Sequence, residues 1–396
     1  MTHVLDRRTQ VTAAQNGPCR PPIAHRSLLA YVGVAVTLAV ATAGAQQSDR
    51  AALVARIDSL VADHLSHGPA ASMAVAVVRG NDTIVMRGYG YADLEAKRPA
   101  GPRTIYEIGS ITKQFTSSAI MRLAEQGKLS LDDDASKYLP NFPLQGHHVT
   151  IRQLLNHTSG IHSYTSKAEW RPHWSEDLSP DSIVGFVARD TFDFAPGARW
   201  SYNNTGYVLL GMIVERASGK PYAQYLDEQF FRPLGLTQTS YCPSRGRDTS
   251  FAVGYSARNG QLVPATYLSM TQPFAAGALC SSVASYLVWQ RALHNGRVVS
   301  ARSYQLMTSP DTLNNGTRLT YGFGLMTGKI GEHRMITHGG GINGFTTAQI
   351  YFPDESLSVI AFTNTDAAGP DFTAMNIARA VLGEPLLTRP VRPPRS

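Results

Sequence analysis

Formal charge is scarce in this 396-residue chain: 16% of its residues are Asp, Glu, Lys or Arg, against 43% hydrophobic residues. That balance supplies apolar material for a large core and excludes a disordered polyelectrolyte. Basic runs with interleaved aromatics are also missing. Much of the net charge of +7 sits at the ends, where Arg7, Arg8, Arg20 and Arg26 against Asp6 precede residue 46 and Arg389, Arg392 and Arg395 lie in a proline-rich tail. Nucleic-acid binding is therefore not expected. Internal repeats and low-complexity tracts are absent outside that tail, residues 386–396, for which disorder is expected. The chain has no Gly-x-Ser-x-Gly elbow and no His-Glu-x-x-His, which argues against an α/β-hydrolase and against a zinc protease. Gly339-x-Gly341-x-x-Gly344 has the spacing of a dinucleotide fingerprint but leads into a β-rich run instead of a helix, so that reading is rejected. His64 and His67 have no carboxylate or cysteine partner in view and read as solvent-face residues. No cofactor and no metal are expected.

Cysteine is scarce too, with Cys19, Cys242 and Cys280 alone. None directly follows the uncharged stretch Ser27 to Gln47, which argues against a lipoprotein. That stretch is rich in Leu, Val and Ala and closes with Ala43-Gly44-Ala45, the small-x-small pattern of a signal-peptidase site. Residues 1–45 are thus expected to be a cleaved leader, giving a periplasmic or secreted protein without stable membrane association; an uncleaved anchor is the alternative, since about 20 apolar residues can span a bilayer. Cleavage removes Cys19. The remaining pair, Cys242 and Cys280, reads as a disulfide in an oxidising compartment, with two buried thiols as the alternative.

Periodicity divides the rest. Leu53, Ile57, Leu60, Val61 and Leu65 recur at helical spacing and predict a helix from about Ser48 to His67. Ser72 to Val78 and Thr83 to Tyr91 flank the turn residues Gly80-Asn81-Asp82 and predict a hairpin. Phe345 to Phe352 and Ser356 to Thr363 predict a second hairpin, followed by a helix from about Asp371 to Leu382. Between them helical patterns dominate: Ser110 to Gln126, Ile151 to Asn156 behind the capping box Thr150…Gln153, Tyr207 to Ala217 and Ser282 to His294. The fold expected is α+β: an antiparallel sheet flanked by helices and built from both chain ends, with a large, mainly helical insertion. The corresponding division is one domain over 46–385, with a sheet subdomain (46–115 plus 316–385) and a helical subdomain (116–315).

The chemistry centres on Tyr106-Glu107-Ile108-Gly109-Ser110-Ile111-Thr112-Lys113. A serine in the first turn of a helix lies in the positive end of the helix dipole, and a lysine three residues on shares its face. A lysine kept neutral by burial can accept the serine proton. Ser110 and Lys113 form the one Ser-x-x-Lys of the chain. Two further elements follow in order: Tyr202-Asn203-Asn204 and His338-Gly339-Gly340-Gly341, the latter placed just before a strand.

This set, together with Leu154-Leu155-Asn156-His157-Thr158-Ser159-Gly160-Ile161, resembles the serine β-lactamase and penicillin-binding-protein superfamily, in particular its class C-like branch of esterases and D-aminopeptidases. The resemblance runs from about residue 50 to 385. It implies a β-lactamase/transpeptidase-like fold, an acyl-enzyme on Ser110, proton transfer through Lys113 and Tyr202, and hydrogen bonds from Asn204. It also implies an oxyanion hole from the amides of Ser110 and Gly341, with His338, Gly339 and Gly340 along the substrate edge. One departure is informative, because class C β-lactamases carry Lys-Thr-Gly where this chain has His338-Gly339-Gly340. A histidine offers no dependable charge at neutral pH for a β-lactam carboxylate. Ester, D-amino-acid amide or peptide substrates, peptidoglycan fragments included, are accordingly expected ahead of β-lactams. A catalytically silent, envelope-binding protein is the alternative of another class. His157 reads as a loop-fixing hydrogen-bond former. Specificity is expected in the inserted loops, among them Tyr164 to Pro180 with Trp170 and Trp174, and oligomeric state stays open.

Overall fold

The computed structural model describes residues 28–243 and 247–388. Residues 1–27 of the expected leader and 389–396 of the expected tail lie outside them. The chain divides after Ala51, and every strand belongs to the unit beginning at Ala52.

In chain order the strands are β1 (Ser72–Arg79), β2 (Asp82–Asp93), β3 (Arg98–Pro99), β4 (Tyr106–Glu107), β5 (Thr239–Tyr241), β6 (Tyr255–Arg258), β7 (Gln261–Pro264), β8 (Leu279–Ser281), β9 (Met326–Ile330), β10 (His333–Ile342), β11 (Phe345–Phe352) and β12 (Leu357–Thr363). Seven form one sheet in the order β3-β2-β1-β12-β11-β10-β9. All its neighbours are antiparallel, and β1 pairs with β12 from Met73↔Thr363 to Arg79↔Leu357. The two chain ends therefore meet at the centre of one sheet, as the hairpins imply.

Period-two alternation assigns the two faces. Val75, Val77, Val359 and Ala361 pack with Ile57 and Val61 of helix Leu28–His67 and with Ala374, Ile377 and Ala378 of helix Asp371–Leu382. Ala74, Ala76, Ile360 and Phe362 face the opposite way, into a larger core with Ile111, Phe115 and Trp289 of the middle segment. Both faces of β1 are covered, and Ser72 to Val78 are buried throughout. The middle segment is helical, with Thr112–Glu125, Asn204–Ser218 and Val283–His294 as its longer helices. It also carries two small sheets, β4-β8-β5 and β6-β7, for which periodicity gave no signal. Cys242, just after β5, is joined by a disulfide to Cys280 in β8.

Two expectations need correction. The first helix does not start near Ser48 but continues back to Leu28. His64 does not face solvent: it is buried, with Nδ1 3.0 Å from Thr373 Oγ1, because the sheet-facing stripe of its helix is wider than the aliphatic positions alone suggested. His67 is exposed. His338-Gly339-Gly340-Gly341 does precede the strand β11, but it is not a loop: it lies within β10. Three consecutive glycines hide a strand from propensity, whereas pairing with β11 supplies it.

Candidate active site

The short strand β4 delivers the nucleophile candidate. Glu107 pairs with Cys280 of β8, and Ile108 N donates to Leu279 O at 2.9 Å, which fixes the chain just before Gly109. Gly109 then takes φ +51, a left-handed conformation that suits glycine. Ser110 sits in the 3-10 turn Gly109–Ile111 that runs into helix Thr112–Glu125. At that position the backbone N–H has no turn residue behind it to accept its hydrogen bond.

One turn on, Lys113 is fully buried. Its Nζ lies 3.0 Å from Ser110 Oγ, 2.8 Å from Asn204 Oδ1 and 2.8 Å from Ala276 O. It also stands 4.7 Å from the ring centroid of Tyr202. No carboxylate is among these partners, and burial pushes its pKa well below the ordinary lysine range. Asn204 is oriented by its second amide atom, since Nδ2 donates to Thr165 Oγ1 at 3.1 Å. Asn203, its neighbour, caps helix Asn204–Ser218 through Oδ1, which accepts from Gly206 N at 2.7 Å.

Tyr202 lies against this cluster with a buried hydroxyl that makes no hydrogen bond of normal geometry. Burial raises its pKa, opposed by the Ser110 hydroxyl beside it, so it stays a neutral phenol. His157 stands behind Tyr202, their ring centroids 4.4 Å apart. Its φ of +64 is unusual for a side-chain-bearing residue, and Asn203 N donates to its Nδ1 at 3.1 Å. It holds the loop that presents Tyr202 and Asn203.

The third wall is β10. Gly340 crosses Ile108 so closely that a β-carbon there would lie 2.1 Å from its carbonyl oxygen. A β-carbon on Gly109 would lie 2.9 Å from Gly341 N, so the Ser110 turn and the strand are in backbone contact. Pairing places Gly341 opposite Thr346, one step inside the closing pair Ile342↔Phe345. Antiparallel alternation then turns the Gly341 N–H away from β11. That edge of β10 has no paired strand beyond Thr337, where pairing with β9 stops. Gly339 faces Asp371 on the other side of the sheet.

His338 is buried on the site face. Its Nδ1 lies 2.6 Å from Gly339 O, an acceptor, so Nδ1 carries the proton and Nε2 accepts from Tyr321 Oη at 2.9 Å. Burial lowers its pKa to about 4, so the ring is neutral at pH 7. Met326-Thr327-Gly328-Lys329, which has the wrong order to replace a Lys-Thr-Gly, belongs to β9.

Ser110, Lys113, Tyr202, Asn204 and the His338 to Gly341 strand are thus brought together. Cys280, in β8, and Cys242, just after β5, belong to the small sheet region that carries β4 and contribute no side chain to the site. Sequence reasoning missed Tyr321, Thr165 and the Ala276 carbonyl. The first two belong to no motif, and a carbonyl has no residue signature. A cavity of about 150 Å³ opens beside Ser110, lined in part by Tyr164, Trp170, Trp174, Leu268 and Ile342. Among the described residues no group of three or more His, Cys, Asp or Glu is placed to hold a metal ion.

Comparison with known proteins places this geometry. The family model described as Beta-lactamase matches residues 57–384. Penicillin-binding protein 4* of Bacillus subtilis (strain 168) is 32% identical over 338 residues, covering 81% of this chain and 73% of that protein. The D-stereospecific amidohydrolase from Streptomyces sp. superposes with a TM-score of 0.73 at 28% identity, over 84% of this chain and 99% of that one. The octameric penicillin-binding protein homologue from Pyrococcus abyssi gives 0.72 at 29% identity, over 84% of this chain and 78% of its own.

Proposed function

Because the chain belongs to the β-lactamase family and is an enzyme of the serine hydrolase type, we propose that it works through an acyl-enzyme on Ser110, on ester, D-amino-acid amide or peptide substrates. The observation that carries this reading is Lys113 Nζ, buried without a carboxylate and 3.0 Å from Ser110 Oγ. A neutral amine there donates to Asn204 Oδ1 and Ala276 O and keeps its lone pair for the Ser110 hydroxyl proton.

Ser110 Oγ bonds to the substrate carbonyl carbon as Lys113 takes its proton. The carbonyl oxygen becomes an oxyanion held by the Ser110 and Gly341 N–H groups, a device in which one lost donor costs about 10²–10³ in kcat. Collapse breaks the bond to the leaving group, which receives the proton through the Tyr202 phenol. Water then adds to the acyl carbon, and its proton returns by the same route to Ser110 as the acid departs. His338 acts as a neutral spacer tied to Tyr321, and it offers no cation to a β-lactam carboxylate.

A fluorophosphonate labels Ser110 on this reading and fails on Ser110→Ala. An unlabelled, folded wild-type protein would sink it and would favour a silent envelope-binding protein. Nitrocefin turnover exceeding that of p-nitrophenyl acetate would instead support the β-lactamase reading. Export of residues 46–396 after cleavage at Ala45 is part of the proposal. The buried Cys242–Cys280 disulfide suits an oxidising compartment, and no helix of the described residues is long and apolar enough to cross a membrane. Amino-terminal sequencing of the mature protein checks it, and a start at Met1 refutes it.

A further inference from the structure

The cavity beside Ser110 is lined by Gly109, Tyr164, Trp170, Leu268, Ile342 and their neighbours, and none of its lining residues is Asp, Glu, Lys, Arg or His. Two polar atoms of its aromatic wall are committed, Tyr164 Oη donating to Gln272 O at 3.2 Å and Trp170 Nε1 to Gln272 Oε1 at 2.6 Å, while Trp174 Nε1 is buried without a hydrogen-bond partner. Trp170 meets Tyr164 edge-on at 5.0 Å and Trp174 at 5.6 Å, so the rings brace one another. The two basic side chains behind the cavity cannot serve a charged substrate. Lys113 is enclosed by Ser110, Asn204 and the Ala276 carbonyl, and both ring nitrogens of His338 are taken by Tyr321 and Gly339. A cavity of about 150 Å³ with an aromatic and aliphatic wall is large enough to take up a benzene ring.

A second, open cleft of about 900 Å³ shares Leu268 and Asn343 with this cavity. Its Arg98 lies 3.9 Å from Asp93 and its Arg247 2.6 Å from Glu107, so those charges are internally matched. The group that stays on Ser110 through both chemical steps is assigned to the smaller cavity that Ser110 itself lines, and the group that departs to the larger cleft.

Resting on the reading of Ser110 as nucleophile, we propose that the substrate is a carboxylic ester whose acyl chain is short, apolar and uncharged, seated against Trp170, Trp174, Leu268 and Ile342. Ser110 Oγ forms the new bond to the acyl carbon, the ester C–O bond breaks, and the alcohol leaves with the serine proton. Water then releases the free acid, whose carboxylate the uncharged cavity does not retain. A carboxylate or ammonium on the acyl chain would be desolvated there without a partner of opposite charge. Cationic amino-acid amides and substrates bearing a free carboxylate are therefore disfavoured.

The test uses p-nitrophenyl esters in shape-matched pairs that differ in charge, on the full-length protein: 4-methylpentanoate against hemisuccinate, and 5,5-dimethylhexanoate against 4-trimethylammoniobutanoate. The expected result is a kcat/KM more than about 100-fold lower for each charged member. In Ile342→Asp, with Ile342→Asn as the uncharged control, the cationic ester recovers at least tenfold relative to its isostere. Charged esters turned over within tenfold of their isosteres by the wild type overturn the proposal. Fluorophosphonate labelling of Ser110 with no ester turnover overturns it while leaving the acyl-enzyme reading in place, and loss of labelling removes both.

Discussion

Substituting Gly340 by alanine tests the contact on which the proposed oxyanion hole depends. The added methyl would lie 2.1 Å from Ile108 O and 2.4 Å from Thr347 Oγ1, where ordinary van der Waals contact begins at 3.4 Å. Neither neighbour is free to yield: Thr347 Oγ1 donates to that same Ile108 carbonyl at 3.0 Å, and Ile108 N is held by Leu279 O. The strand must therefore recede from the Ser110 turn by about 1 Å, a displacement of the size that costs about 10²-fold in rate when it misplaces catalytic groups. Overpacking adds about 1–3 kcal/mol of instability, and for a chain of this size about 2–4 °C of melting temperature per kcal/mol. Gly341→Ala is the companion, because a β-carbon there meets nothing within 4 Å and Tm should hold. The assay is kcat/KM on p-nitrophenyl butanoate beside a thermal melt. Gly340→Ala turning over within about threefold of wild type would show that strand and nucleophile are not coupled as argued.

Asn204→Asp places a carboxylate 2.8 Å from Lys113 Nζ and favours its charged form. Activity at pH 7 should fall by about 10² or more and recover as pH rises, whereas an unchanged pH profile would exclude Lys113 as the base. Removing the Cys242–Cys280 bond, which closes a 38-residue separation, should cost about 4 kcal/mol by loop entropy. A double Cys→Ala variant with wild-type stability in denaturant titrations would contradict that. Burial lowers His338 to about 4 and His294 to about 3, both below the 6.5 of free imidazole. As pH falls the unfolded chain takes up these protons first, so stability present above pH 6.5 is lost down to about pH 4 and 3, by roughly 3–5 kcal/mol per ring. A melting temperature flat from pH 7 to pH 4 would refute this.

What could be read from the sequence was what period and motif encode. β1, β2, β11 and β12 alternate or run apolar between turn residues, and each lies in the central sheet. Ser110, Lys113, Tyr202 and Asn204 belong to ordered motifs, and they converge. β10 escaped because glycine carries no strand signal, and β4 and β8 are too short for periodicity to register. His64 escaped for a different reason: a polar residue inside an apolar stripe reads as surface until its partner, Thr373, arrives from 309 residues away. The Tyr321 contact to His338 and the Ala276 carbonyl on Lys113 are tertiary in the same sense. Such a partner is a matter of where the backbone passes, and side-chain identity does not announce it.

The sheet that joins both ends also sets an order of events during synthesis. Met73 waits for Thr363, and Ser110 waits for Gly341, so a growing chain carries its serine and lysine long before the strand beside them exists. Closing so long a loop is slow relative to forming local helices. Until β10 docks, a reactive serine beside a poorly shielded lysine has no site in which an oxyanion could be held. On the proposed mechanism nascent and truncated forms lacking β10 are expected to be hydrolytically inert, which makes the last quarter of the polypeptide their activation step.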